Sequence, residues 1–235
     1  MKKLVTVAAV AMAFLFVGKS VSGQDLNKLT SKEKKEGWQL LFDGKSIEKW
    51  RCYKMDKVQG WSVEDGVMTA LGLPDGQGGD IVTREKFQDF ELYLEWKVEQ
   101  NSNSGVFFHV VEGEQYETVY MTGPEYQLLD DVGFHQNPKN MSASNYDMEA
   151  PKFGQVKTLD DWNKTRIIVK GSHVEHWLND RKVVEYELWS PKWVEQKNAS
   201  KWKDVEGYGK FKDGFIALQD HGGITHFRNL KIRRL

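Results

Sequence analysis

One run constrains this chain more than any other: Phe90, Glu91, Leu92, Tyr93, Leu94, Glu95, Trp96, Lys97, Val98. Apolar side chains fall on every second position, five times in succession, with polar or amphipathic residues between them. Two is the side-chain period of a strand, whose successive residues point to opposite faces. A helix would need apolar residues three and four apart. The run therefore predicts a strand with one face in a core and the other toward water.

The same period recurs along the chain. Trp61 to Ala70 alternates on either side of Asp65-Gly66, a hairpin signal. Gly105 to Val111 puts Val106, Phe108 and Val110 on one face, with Phe107 and His109 on the other. Glu125 to Leu129 turns Tyr126 and Leu128 inward, so Glu125 and Gln127 project together from the opposite face. Trp162 to Lys170, then Val174 to Glu187 with a tight turn at Asn179-Asp180, read as further strands. Gly214 to Gln219 and Thr225 to Leu235 close the domain. The spread of lysines and apolar residues between Trp189 and Gly209 predicts a short helix. Asp130 to Asp161 shows no period, and so long an irregular stretch inside a compact domain is usually functional. Many strands, short turns and little helix predict an all-β sandwich or jelly roll.

The formal net charge of the 235 residues is -1. No basic stripe is present to neutralise phosphates, which argues against a nucleic-acid partner. Cys52 is the one cysteine, so no intrachain disulfide forms, and it reads as a buried thiol. Lys2 and Lys3 precede an apolar run from Leu4 to Val17, and small residues stand at Val21-Ser22-Gly23. This pattern predicts a signal peptide over 1–23, export by the Sec pathway and a periplasmic destination. No second apolar run has membrane-spanning length. Residues 24–36 are polar and read as a tether or a short helix leading into the domain, and 37–235 as one domain. The nine tryptophans suit a sandwich core and also stacking on sugar rings; most sit in strand-like runs, which favours the core.

If Ile216 and Leu218 are core, Gln219 and His221 face outward, as do His109, Glu125 and Gln127. Repeated Gln, His and Glu on one sheet face predict a wet binding cleft. The candidate acids and bases are Glu125, His109 and His221. Gln127, Gln219, Asp130 and Tyr146 are the candidate contacts to a small-molecule carbohydrate. His176, His221 and Glu125 also make a candidate site for one divalent metal ion, of a transition-metal type more than calcium. His176 shares a side with Val174 and Leu178, which reads equally well as core. No organic cofactor is expected.

Seven motifs then carry a resemblance. They are Gly37-Trp38-Gln39-Leu40-Leu41-Phe42-Asp43-Gly44 with Trp50; Asp89-Phe90-Glu91-Leu92 with Glu95-Trp96; Asn103-Ser104-Gly105-Val106; Gly123-Pro124-Glu125-Tyr126-Gln127; Trp162-Asn163 with Val169-Lys170-Gly171; His176-Trp177-Leu178-Asn179; and Ile216-Ala217-Leu218-Gln219-Asp220-His221 with Phe227-Arg228-Asn229. In this order they resemble the 3-keto-disaccharide hydrolase family from about Gly37 to Leu235. Asp180 departs from the glycine usual in that turn, which touches no chemistry. The resemblance implies a concanavalin A-like lectin/glucanase sandwich, and cleavage of sugars already oxidised to a ketone at carbon 3.

Such a ketone acidifies the proton on carbon 2. Glu125 or a histidine removes that proton, the enolate expels the substituent on carbon 1, and water adds afterwards. A divalent metal or an imidazolium would stabilise the enolate oxygen. Two other readings stand beside this one. A two-carboxylate retaining glycosidase needs a second carboxylate about 5 Å from Glu125, and Asp130 has the opposite strand parity. A non-catalytic, lectin-like carbohydrate-binding module needs no acid or base at all.

Overall fold

A computed structural model of the chain describes residues 26–72, 79–134, 137–152, 156–157, 159 and 161–235. The expected signal peptide at 1–23 lies outside them. The strands are, in chain order, β1 (Gln39–Leu40), β2 (Trp50–Cys52), β3 (Trp61–Glu64), β4 (Val67–Ala70), β5 (Ile81–Phe87), β6 (Phe90–Val98) and β7 (Asn103–Val110). They continue with β8 (Glu125–Leu129), β9 (Asn163–Lys170), β10 (His173–Leu178), β11 (Arg181–Glu187), β12 (Gly214–Leu218) and β13 (Thr225–Arg234). Among the described residues the two α-helices are short: α1 (Ser31–Lys35) and α2 (Pro191–Asn198).

Every pairing is antiparallel, and the strands form two sheets. The larger runs β11-β10-β9-β6-β13-β4-β3, with β1 also on β13, and the smaller runs β2-β5-β12-β7-β8. The order places strands distant in sequence side by side, as in a concanavalin A-like jelly roll. The core lies between the sheets. Phe90, Leu92, Leu94 and Trp96 of β6 share it with Val106 and Phe108 of β7, Tyr126 and Leu128 of β8, and Ile216 and Leu218 of β12. Fully burying one such side chain stabilises the fold by roughly 1.5–3 kcal/mol. Two of the core aromatics have their polar ends satisfied: Trp96 Nε1 donates to Thr165 Oγ1 at 2.9 Å and the Tyr126 hydroxyl to Trp177 O at 3.1 Å. Asn179 and Asp180 take φ of 48° and 66°, the left-handed pair that a two-residue hairpin demands. Cys52 is a buried free thiol, as expected.

The structure corrects the sequence reading of β7. Phe215 pairs with Val110 and Ala217 with Phe107, so Phe108 and His109 together stand opposite Ile216. This is a β-bulge, with His109 at φ 54°. The extra residue breaks the alternation. Phe108 stays in the core, while Val110 joins Phe107 and Phe215 in a second apolar cluster. The His109 ring packs edge-on to Phe108 and Phe90, at 5.2 and 6.2 Å between centroids, and its Nε2 lies 2.8 Å from Gln88 O.

Of the two readings of the polar segment 24–36, its described part takes the short helix, α1, and is docked on the larger sheet. Buried Asn27 exchanges two hydrogen bonds with Asn229, at 2.6 and 2.8 Å, and its amide donates to Gly66 O at 2.8 Å. Thr30 caps α1 through a reciprocal pair with Glu33, and Glu33 also pairs with Lys231 of β13.

Candidate active site

The strand parity of β8 sets the site. Tyr126 and Leu128 lie in the core, so Glu125 and Gln127 point outward from the smaller sheet. Gly105, beside them on β7, makes the room: a Cβ there would stand 2.5 Å from Glu125 Oε1. The sequence alone placed these residues on a wet face. They are in fact covered, Glu125 being 5% and Gln127 1% exposed.

Two segments form the cover. Residues 143–146 run beside β8, with Ala143 N donating to Gln127 O at 2.8 Å and Tyr146 N to Glu125 O at 3.1 Å. The turn after α2 brings Lys201 and Trp202. Lys201 N donates to Asp147 Oδ2 at 2.7 Å, and Trp202 Nε1 to Tyr146 O at 3.0 Å. Near-parallel rings of Trp193, Tyr208 and Trp202 anchor this turn, each step tilted by only 9°.

The result is a cavity of about 250 Å³ lined by Asn103, Tyr120, Glu125, Gln127, Tyr146, Lys201, Trp202, Gln219 and His221. Five of the residues singled out from sequence meet here: Glu125, Gln127, Tyr146, Gln219 and His221. Lys201, Asn103, Trp202 and Tyr120 escaped that reading. Asn103 had a signal, since it opens one of the seven motifs. Lys201 and Trp202 sit in an aperiodic, lysine-bearing turn, where nothing local marks one lysine from the next.

Burial raises the carboxyl of Glu125 above its ordinary range, against the opposing pull of the Lys201 charge. Burial likewise lowers Lys201, whose Nζ lies over the rings of Tyr146 and Trp202 at 4.1 and 4.3 Å from their centroids. His221 is lowered by burial and then by Lys201, so its imidazole is neutral near pH 7. Its Nδ1 lies 3.3 Å from Gln219 Oε1; with that oxygen accepting, Nε2 keeps its lone pair. Gln127 Oε1 and Asn103 Oδ1 are buried acceptors with no partner among the described residues. Unpaired buried acceptors are costly, and hydroxyl donors of a polyol would satisfy them. The cavity thus combines aromatic walls, hydrogen-bonding amides, one carboxylate, one amine and one neutral imidazole.

Three sequence candidates lie elsewhere. His109 is held by the β7 bulge against Phe90 and Phe108, away from this lining. His176 is buried between the sheets, its Nδ1 3.0 Å from Ala143 O and its ring beside Tyr126, and burial pushes its pKa down to about 4. Asp130 closes a turn, accepting from Asn101 N at 2.9 Å, Gly133 N at 3.1 Å and Val132 N at 3.2 Å. The expected metal set of His176, His221 and Glu125 is therefore not assembled: only the last two share the cavity. Among the described residues, His173, Glu175 and Glu185 bring ligand atoms within 4.8 Å of one another. Lys182 Nζ already donates to both of those glutamates, at 3.2 and 2.7 Å.

The profile of a family described as the 3-keto-alpha-glucoside-1,2-lyase-like domain matches residues 37–233. A 3-keto-disaccharide hydrolase of Bacteroides thetaiotaomicron is 34% identical over 246 residues, covering 92% of this chain and 85% of that protein. A crystal structure of a candidate glycosyl hydrolase from Parabacteroides distasonis is 36% identical, with a TM-score of 0.84, covering 89% of this chain and 99% of the other. A second from the same organism is 28% identical with a TM-score of 0.66, covering 84% and 99%.

Proposed function

The chain belongs to the 3-keto-alpha-glucoside-1,2-lyase-like family, and from that premise we propose that it is a carbohydrate-active enzyme cleaving 3-keto-glycosides at the cavity above β8. The observation that carries this reading is a single buried carboxylate, Glu125, sharing a polar and aromatic cavity with Lys201 and His221. A ketone at carbon 3 needs one base at carbon 2 and an electron sink at carbon 3. Glu125 supplies the base. Lys201 faces the same space and supplies the sink. His221, neutral with a free ring nitrogen, is placed to pass a proton to or from the leaving group or the incoming water. Elimination at carbon 1 releases the aglycone, and addition of water to the unsaturated product completes a net hydrolysis.

An acid–base pair flanking the glycosidic bond would require two carboxylates. Glu125 is the one carboxylate among the described lining residues. Gln127, Asn103 and Gln219 provide the hydrogen bonds that orient a sugar, and Tyr146 and Trp202 the apolar walls. The leader-like pattern of residues 1–23 supports export to the periplasm as part of this reading; the protein recovered from a periplasmic extract should begin near Gln24. The discriminating assay offers the enzyme a glucoside and its 3-keto form. Aglycone should appear from the keto form alone. Equal release from the unoxidised glucoside overturns the elimination route, and binding of both without release leaves a carbohydrate-binding module.

A further inference from the structure

Resting on that reading, we infer that Lys201 acts covalently: its amine condenses with the substrate's carbon 3 ketone, and the resulting iminium is the electron sink for proton loss at carbon 2. The argument starts from where the amine sits. Lys201 Nζ lies on the faces of Tyr146 and Trp202. Among the described residues it forms no ion pair and donates no side-chain hydrogen bond, whereas Lys164, Lys182, Lys192, Lys210 and Lys231 all hold carboxylates. The main chain of Lys201 is tied to Asp147 and its neighbour Trp202 is stacked on Tyr208, so the side chain is presented into the cavity from a fixed base. A lysine desolvated against apolar walls is a familiar way to obtain a nucleophilic amine. Burial does lower this one.

The neighbouring groups suit the same course. Condensation begins with addition of the neutral amine to the ketone, giving a carbinolamine in which the nitrogen proton has moved to oxygen. A protonated acid must then release that oxygen as water. Glu125, whose burial favours its acid form, can donate this proton and become a carboxylate. The carboxylate then faces a cationic iminium and takes the proton from carbon 2. The enamine electrons expel the oxygen on carbon 1, which takes a proton and leaves as the aglycone alcohol. Water hydrolyses the conjugated iminium, restoring the lysine amine and the carbon 3 ketone in the unsaturated sugar. No oxidant or reductant is needed. The ring faces of Tyr146 and Trp202 favour positive charge at the nitrogen, which keeps the imine protonated as the iminium until carbon 2 gives up its proton.

The test uses the whole chain, a 3-keto-glucoside and cyanoborohydride, which reduces an iminium in preference to a ketone. Peptide mass spectrometry should find one sugar unit attached to Lys201 through a secondary amine. Lys201→Arg keeps a cation over the two rings but cannot condense. It should lose the adduct, and turnover should fall by about 10²-fold or more, the scale on which loss of a catalytic proton-transfer group registers. If the wild-type enzyme turns over yet yields no adduct at Lys201, or if Lys201→Arg stays within a few-fold of wild type, the covalent role is overturned and a purely electrostatic one remains. If the wild type releases no aglycone from any 3-keto-glucoside, it is the functional reading that fails, and the inference with it.

Discussion

Glu125 owes its chemistry to its neighbours. Gly105 leaves it room, Tyr146 and Lys201 roof it, and burial raises its carboxyl. Glu125→Gln keeps the shape and removes the basic oxygen, so turnover of a 3-keto-glucoside should fall by about 10²-fold or more, with an unchanged circular dichroism spectrum. The same substitution has a stability signature. A carboxyl whose folded value is raised holds a proton in the folded state at pH values where the unfolded chain has lost it. Its stabilising contribution is complete below the ordinary carboxylate range and is lost as pH rises through the raised value. Glu125→Gln escapes that loss. Calorimetry should find it melting above wild type at mildly alkaline pH, with the gap closing toward acid. A gap that widens toward acid would mean the carboxylate, not the acid, is the form the fold favours.

Among the elements, β7 and the turn after α2 decide what reaches the cleft. The bulge at Phe108 and His109 turns the histidine toward Gln88 and Phe90 and leaves Phe107 and Val110 to a separate apolar cluster. His109 is therefore a structural histidine. His109→Ala removes a part-buried hydrogen bond to Gln88 O and an aromatic contact, and should cost about 0.5–1.5 kcal/mol of stability. In denaturant titration the midpoint should shift while kcat, corrected for the folded fraction, stays at the wild-type value. A fall in kcat of the folded enzyme would return His109 to the reaction. The turn after α2 works in the opposite sense. It carries no period, yet its stack of Trp193, Tyr208 and Trp202 brings Lys201 over Glu125's cavity from far along the chain.

For the molecule as a whole, the two sheets divide the labour. The larger is tied across its outer face by ion pairs and by the docked amino-terminal segment. The smaller holds the cavity. The Asn27–Asn229 pair closes the chain over 202 positions of sequence. Removing one partner leaves buried amide groups unsatisfied. Asn27→Ala should lower the melting temperature by an amount equivalent to about 1–3 kcal/mol, while KM and kcat for a 3-keto-glucoside remain unchanged, because the pair lies outside the cavity lining. A shift in KM would tie the docked segment to the cleft.

Strand identity, the all-β class and much of the cleft were legible without coordinates, because each rests on the period of two. Phe90 to Val98, Tyr126 with Leu128, and Ile216 with Leu218 declare their buried faces locally, and Glu125, Gln127 and Gln219 follow by parity. Three things were not local. The β7 bulge depends on pairing with β12, so parity carried past Phe108 misplaced His109. The burial of His176 depends on Ala143, Tyr126 and Tyr186 from other parts of the chain. The entry of Lys201 depends on ring stacking in an aperiodic turn. A sequence states which face a residue takes while its strand stays regular; which elements lie against that face is decided by the free energy of the whole packed chain.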